Sequence, residues 1–424
     1  IPETLDDVLL NGLRVSHLEQ ADDIIIFAKS PEALQLKLDA FFAWCCRNLL
    51  VINGRKSWWM PLGCRPVAIP SFNINGADVP LEHEKSYVGM ILNSSLSVEQ
   101  RAHTADKAAR AHRISCLVFG VLDRKCLEVP PRPARKLYMG LVDPHLTHGA
   151  DVLPDSTKIA TKKLETVQKT YLRKLLRVGP RSKVAPLFTE TGVSPIRYRR
   201  ADLAVRYLGY ALQRPAEDLV RCAVLDSASL LAARAKSWVG DLAKALSLLP
   251  VPVGFDMPAD DEIECSAKLP LLRGRLHENC FLQARPRPAP VSTFRGYLKL
   301  YAREHRTALT RLLLSDHGLA VERLRYEGVA HEDRMCRFCL VEVEDEMHAL
   351  FACDGNEELA RLRSALDLDV AQVKGHAVMD SLRGLDSFSV FQYLAADSET
   401  VPSLARFVHK VLRLFDDVPI YRNA

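Results

Sequence analysis

Four side chains near the C-terminus constrain the fold more tightly than any other feature: Cys336, Cys339, His348 and Cys353, spaced C-x2-C-x8-H-x4-C. A Cys-x2-Cys step presents two thiolates to one ion, and an imidazole and a third thiolate this near in sequence can close a tetrahedron. Three thiolates and one imidazole suit zinc. A site with four protein ligands keeps no open position for chemistry, so its role is structural. The alternative is three thiols and a histidine that merely pack. Cysteines number eleven, an odd count otherwise scattered, which fits reduced intracellular thiols better than a disulfide framework.

The second constraint lies near the N-terminus. Gln20-Ala21-Asp22-Asp23 precedes Ile24-Ile25-Ile26-Phe27, an apolar run too short for a helix, which predicts a hairpin with two acids at its turn. Such a turn can hold magnesium, which needs one or two carboxylates besides water and phosphate oxygens. A plain Asp-Asp turn is the alternative. Asn11-Gly12 and Asn75-Gly76 predict type I′ turns between apolar strands. Ser30-Pro31-Glu32 predicts a helix start, with an apolar face of Leu34, Leu38, Phe41, Phe42 and Cys45. Asn53-Gly54 ends that unit. Lys56–Met60 and Tyr87-Val88-Gly89-Met90 read as further short strands.

Beyond Ser97 the pattern becomes long and helical. Helices are expected from Ala102 to Leu122, from Ala134 to Met139 after the Pro130–Pro133 break, and from Lys162, with Leu164, Val167, Tyr171, Leu172, Leu175 and Leu176 on one face. Gly192-Val193-Ser194-Pro195 is expected to open another, running through Leu208. Net charge is only +5, yet Lys158–Tyr207 holds thirteen Lys or Arg against three acids. Such an excess attracts polyanions, which makes Lys162, Lys163, Lys169, Arg173, Lys174, Arg177, Arg199 and Arg200 candidate nucleic-acid contacts. A solvated helix face is the alternative. Pro-rich residues 249–292 read as a connection before a helical C-terminal region. No apolar stretch reaches the length of a membrane span and no signal peptide opens the chain. A protein that is not secreted, in the cytoplasm or nucleus, is expected.

Taken together, these features resemble the reverse transcriptase of non-LTR (LINE-like) retrotransposons. Ala21-Asp22-Asp23 is similar to the family's metal-binding palm motif, with Gln20 where an aromatic is usual. Asn53-Gly54-Arg55-Lys56-Ser57 is similar to the next palm motif, which implies that Lys56 protonates the leaving pyrophosphate. Tyr87-Val88-Gly89 looks like the primer-grip turn, implying nucleic-acid contacts for Tyr87 and Gly89. Cys336, Cys339, His348 and Cys353 match the C-terminal zinc knuckle.

The expectation is an α+β, mostly α chain: a partial palm over 1–95, with a small antiparallel sheet and one packed helix; a thumb over 96–150; a basic helical linker domain over 151–248; the connection over 249–292; and a helical zinc-knuckle domain over 293–424. The resemblance implies the C-terminal portion of an RNA-directed DNA polymerase that binds RNA and DNA, with catalytic magnesium at Asp22 and Asp23 and structural zinc. Only nineteen residues precede Gln20, too few for the fingers and the first palm acid, so the chain by itself is expected to lack polymerase activity. The alternative is a truncated or domesticated, catalytically inactive nucleic-acid-binding protein. Oligomeric state is left open.

Overall fold

The structure is a computed structural model. It describes residues 1–4, 6–63, 68–94, 101–125, 129–255, 272–273 and 293–422. The expected connection over 249–292 therefore falls largely outside the described residues. The class is α+β and mostly helical.

Among the described residues, eight short strands pair as four two-stranded antiparallel sheets. They are β1 (Val8–Leu10) with β2 (Leu13–Val15), β3 (His17–Gln20) with β4 (Asp23–Ile26), β5 (Phe72–Ile74) with β6 (Ala77–Val79), and β7 (Glu84–Tyr87) with β8 (Met90–Asn93). Among the described residues the helices are α1 (Pro31–Arg47), α2 (Arg101–Lys125), α3 (Pro131–Leu137), α4 (Asp143–Thr147), α5 (Lys158–Leu176), α6 (Val184–Thr191), α7 (Ile196–Leu212), α8 (Leu219–Ala232), α9 (Trp238–Ser247), α10 (Arg303–Leu313), α11 (Ala320–Arg323), α12 (Glu357–Lys374), α13 (His376–Arg383), α14 (Ser387–Ala396) and α15 (Val401–Asp416). None is long and apolar enough to cross a membrane.

The chain forms two compact units. The first comprises Ile1–Arg110, His145–Leu164 and Ile196–Glu278; the second comprises Ala111–Pro144, Glu165–Pro195 and Asn279–Ala424.

In the first unit the Asn-Gly turns fold as their chemistry dictates. Asn11 and Gly12 have φ of 46° and 82°, and Asn75 and Gly76 have 53° and 75°. These are the paired positive angles of a type I′ turn. Tyr87–Met90, expected as a strand, is instead the same kind of turn: Tyr87 pairs with Met90, and Val88 and Gly89 take φ of 47° and 76°. A β-branched residue resists that conformation, so sequence alone argued against it. Gly89 accepts it and lets His148 approach; a Cβ there would sit 3.2 Å from the His148 Nε2.

Lys56–Met60 is not a strand either. Residues 54–56 form a turn and Trp59 alone bridges to Leu81, through Trp59 N–H to the Pro80 carbonyl (3.0 Å) and Glu82 N–H to the Trp59 carbonyl (2.9 Å). Pro61 has no N–H with which to extend the ladder.

Helix α1 starts where expected, with the Ser30 hydroxyl accepting from the Ala33 N–H. It packs on β4 and β5, and Gln35 clasps the Asn73 backbone through both amide atoms at 2.9 and 3.0 Å. Its buried line is Ala33, Lys37 and Cys45, whereas Leu34, Leu38, Phe41 and Phe42 are half-buried. Lys37 is fully buried because its ammonium reaches Asp7 Oδ1 at 2.5 Å and the Phe27 carbonyl at 2.6 Å.

In the second unit the apolar face of α5 is buried as its periodicity predicts. Tyr171 packs against Phe119 (4.8 Å between ring centroids) and Tyr138 (5.1 Å), and donates its hydroxyl to the Ala134 carbonyl at 2.8 Å. Gly192 does not open a helix. It ends α6 in the left-handed conformation (φ 61°), and α7 begins only at Ile196. The C-terminal core is α15 with α10 and α12 packed on it. Val408, Val411 and Phe415 of α15 are fully buried.

Candidate metal centre

The knuckle is built by a short β-bridge and a π-helical turn. Met335 and Val343 pair antiparallel, the Cys336 N–H reaches the Glu342 carbonyl at 2.8 Å, and the Leu340 N–H returns to the Cys336 carbonyl at 2.9 Å. The loop so closed projects Cys336 and Cys339 to one side. The π-helix His348–Ala352 supplies the imidazole, and Cys353 caps its end, donating its N–H to the His348 carbonyl at 2.8 Å. A wider π turn places ring and thiol toward the same point.

The ligand atoms of Cys336, Cys339, His348 and Cys353 all lie within 4.8 Å of one another. Cys336 Sγ is 3.6 Å from Cys353 Sγ, and Cys339 Sγ is 3.4 Å from His348 Nε2. The edges of a zinc tetrahedron built from ordinary bond lengths are about 3.8 Å between sulfurs and about 3.6 Å between sulfur and nitrogen. The donor set and its spacing fit zinc.

His348 Nδ1 faces Glu342 Oε2 at 3.0 Å. A carboxylate there holds the imidazole with Nε2 toward the thiols, the usual arrangement behind a metal-bound histidine. Burial raises the Cys336 and Cys353 thiols, whereas Cys339, against the upward push of burial, is lowered by hydrogen bonds from the Val341 and Glu342 backbone. Buried thiols need a cation to become thiolates.

Sequence reasoning missed what supports these ligands. Arg337, between the first two cysteines, has a buried side chain, and its guanidinium meets the Glu344 carboxylate at 2.5 and 2.9 Å and the carbonyls of Gly318 (2.9 Å), Val418 (2.6 Å) and Phe415. Phe338 stacks edgewise on Phe415, 4.7 Å between centroids. Gly355 lies so close that a Cβ would be 2.6 Å from the Cys339 nitrogen. The only sequence signal was an arginine inside the Cys-x2-Cys step with an acid pair, Glu342 and Glu344, shortly after.

In the first unit, Gln20 pairs with Asp23, so Ala21 and Asp22 form the loop of the acid hairpin, with Ala21 at φ 55°. Both acids are exposed. Burial, and to a lesser degree the Asp23 carboxylate, raise the Tyr87 phenol. Lys56 is exposed in its turn and Gly89 is exposed beside Tyr87.

The basic residues divide. Lys162, Lys163 and Lys174 are exposed, and Lys174 lies over the Phe119 ring at 5.4 Å. Lys169, Arg173, Arg177 and Arg199 are half-buried; Lys169 pairs with Glu165 at 3.2 Å and Arg173 donates to the Ser182 hydroxyl at 3.2 Å. Arg200 departs from expectation. It is buried, bonded to Asp155 at 2.7 and 3.0 Å and to the Leu146 carbonyl at 2.8 Å, so its charge is spent inside the protein and it is not a surface contact.

A hairpin with paired exposed acids and a four-residue Cys/His cluster that could hold a metal ion belong to a predominantly helical protein. No family model matches the chain. Over 161 residues, 37% of its length, it is 28% identical to the RNA-directed DNA polymerase from mobile element jockey of Drosophila funebris. The match spans 17% of that protein.

Proposed function

We propose that the chain is a C-terminal portion of an RNA-directed DNA polymerase of the non-LTR retrotransposon type, and that it grips RNA and DNA of the template–primer. The observation that carries this reading is the acid hairpin itself: Asp22 and Asp23, both exposed, at a tight turn whose flanking residues Gln20 and Asp23 pair. The partial likeness to the jockey polymerase supports it.

In this reading Asp22 and Asp23 would hold one side of a magnesium site, and within the whole polymerase that ion would supply activation of the primer 3′ hydroxyl and neutralisation of the departing pyrophosphate. Lys56 would protonate that leaving group there, while this chain by itself is expected to be inactive. The Tyr87–Gly89 turn positions the primer end. Lys162, Lys163, Lys169, Arg173, Lys174, Arg177 and Arg199 attract the backbone, and the zinc knuckle rigidifies the C-terminal helices. Residues 1–95 serve as palm, 96–150 as thumb, 151–248 as linker domain, 249–292 as connection and 293–424 as knuckle domain, working in cytoplasm or nucleus.

The test is fluorescence anisotropy of a labelled RNA template–DNA primer with the purified chain across a salt series. Binding at low salt that weakens steeply toward physiological salt is expected, because phosphate contacts release counterions. Absence of binding even at about 50 mM salt removes the reading.

A further inference from the structure

Tyr326 stands out among the exposed aromatic residues of the second unit. It is 43% exposed, yet two arginines lie over its ring: the Arg181 guanidinium at 4.5 Å from the centroid and that of Arg325 at 5.1 Å. Lys183, half-buried with its side chain 40% exposed, follows Arg181 by two residues. Three acids lie near this group, Glu322, Glu327 and Glu346, the last acting on Lys183. Glu322 is shared between Arg325 (3.2 Å) and Lys183 (3.6 Å), and Glu327 is taken by Arg422 at 2.9 Å. The cluster keeps a positive excess.

The platform is held in place. The Tyr326 hydroxyl donates to the Arg181 carbonyl at 3.3 Å. The loop that carries Arg181 is pinned by the Lys183 N–H to the Leu314 carbonyl (2.9 Å), by the Gly179 N–H to Asp316 Oδ2 (2.8 Å) and by Arg173 to Ser182. On the other side the Val329 carbonyl, three residues after Tyr326, receives two bonds from Arg334 at 3.0 and 2.8 Å. Arg334 is two residues before the first knuckle cysteine, and its carbonyl accepts from the Glu344 N–H at 2.9 Å, which ties this segment to the same loop.

We propose that Arg181, Tyr326 and Arg325 form a binding site for single-stranded nucleic acid, in which an unpaired base stacks on the ring and guanidinium planes while Arg181, Arg325 and Lys183 face phosphates. An aromatic face combined with basic groups is the sequence-tolerant chemistry of single-strand binding. Bases in a duplex are already stacked and do not offer a free face. The inference rests on the nucleic-acid reading above.

The test compares wild type, Tyr326→Ala, Tyr326→Phe and Arg181→Ala for a fluorescein-labelled 20-nucleotide oligo(U), and for an RNA duplex of equal length, at about 50 mM salt. A second oligo(U) carrying one 2-aminopurine reports stacking directly. Tyr326→Ala should bind the single strand roughly 5- to 150-fold more weakly, the range of one lost base stack. Its effect on the duplex should be smaller, and it should abolish the 2-aminopurine quenching. Tyr326→Phe, which keeps the ring, should retain affinity and quenching. Unchanged zinc content and thermal melting of the variants confirm folding. If wild type binds and Tyr326→Ala binds the single strand equally well, the site is refuted while the nucleic-acid reading stands, and the patch serves protein contacts instead. If wild type binds neither probe, both fail.

Discussion

Arg337 and Glu344 form a two-pronged ion pair beneath the knuckle, Nη2 to Oε1 at 2.5 Å and Nε to Oε2 at 2.9 Å, with side chains only 3% and 0% exposed. The arginine lies inside the Cys-x2-Cys step, so the ligands inherit its position. Removing one partner of such a pair strands a buried charge and costs about 3–5 kcal/mol. Arg337→Ala should therefore release zinc at much lower urea than wild type, read with a colorimetric chelator. Arg337→Lys should fail to rescue, because an ammonium cannot make the forked contact.

Gly355 tests the same loop from the opposite side. A Cβ would lie 2.6 Å from the Cys339 nitrogen and the Phe338 carbonyl carbon, and backbone atoms have no rotamer with which to withdraw. Gly355→Ala should destabilise the knuckle by about 1–3 kcal/mol, as overpacking does. Elemental analysis should show one zinc per wild-type chain, a reduced content for this variant and none for Cys336→Ser.

Acid should act on the first unit through Asp7. Burial pushes this carboxyl up, but the Lys37 ammonium and the Thr4 donors outweigh it and hold the group below its usual value of 3.8. The stability it contributes is fully present above pH 3.8 and is lost as pH falls through the depressed folded value. All four tryptophans, Trp44, Trp58, Trp59 and Trp238, belong to this unit, so intrinsic fluorescence follows it alone. Asp7→Asn should flatten the acid transition and cost about 3–5 kcal/mol at neutral pH by leaving Lys37 unpaired.

A second pH effect is expected at milder acidity. The His103 and His148 rings sit 5.6 Å apart, and burial lowers both imidazoles from the ordinary 6.5. For His148 the nearby Lys107 charge adds to the effect of burial. The Ile91 N–H donates to His103 Nδ1 at 3.4 Å, and Gly89 rests against His148, so the pair supports the Val88-Gly89 turn. Their contribution is complete above pH 6.5 and drains as pH falls through the lowered folded values, because a buried imidazole must then charge. The melting temperature followed by tryptophan fluorescence should drop as pH falls from about 7.5 to about 5.5, and the drop should shrink in His103→Gln.

The exposed lysines of α5 should set the salt dependence of nucleic-acid binding. Lys163 and Lys174 are both exposed. Neutralising each, as Lys163→Gln and Lys174→Gln, should lower the slope of log affinity against log salt by about one if each meets a phosphate. Arg200 offers the contrast: Arg200→Gln should disturb folding through Asp155, with the slope of the folded fraction unchanged.

Short-range chemistry in the sequence determined the Asn-Gly turns and the start of α1, though not the Val88-Gly89 turn or the start of α7. Asn11-Gly12 and Asn75-Gly76 adopt positive φ because these residue types tolerate it, Ser30 caps α1 with its own hydroxyl, and the spacing of Leu164 through Leu176 selects the buried face of α5. The four knuckle ligands were legible for the same reason, since they lie within eighteen residues of one another. Only the tertiary structure decided which charges go inside. Lys37 meets Asp7 thirty residues away, Arg200 meets Asp155 at forty-five, and Arg337 reaches the Phe415 carbonyl at seventy-eight. A charged side chain is buried only where partners offset its lost hydration, and those partners are brought together by packing rather than by neighbouring residues.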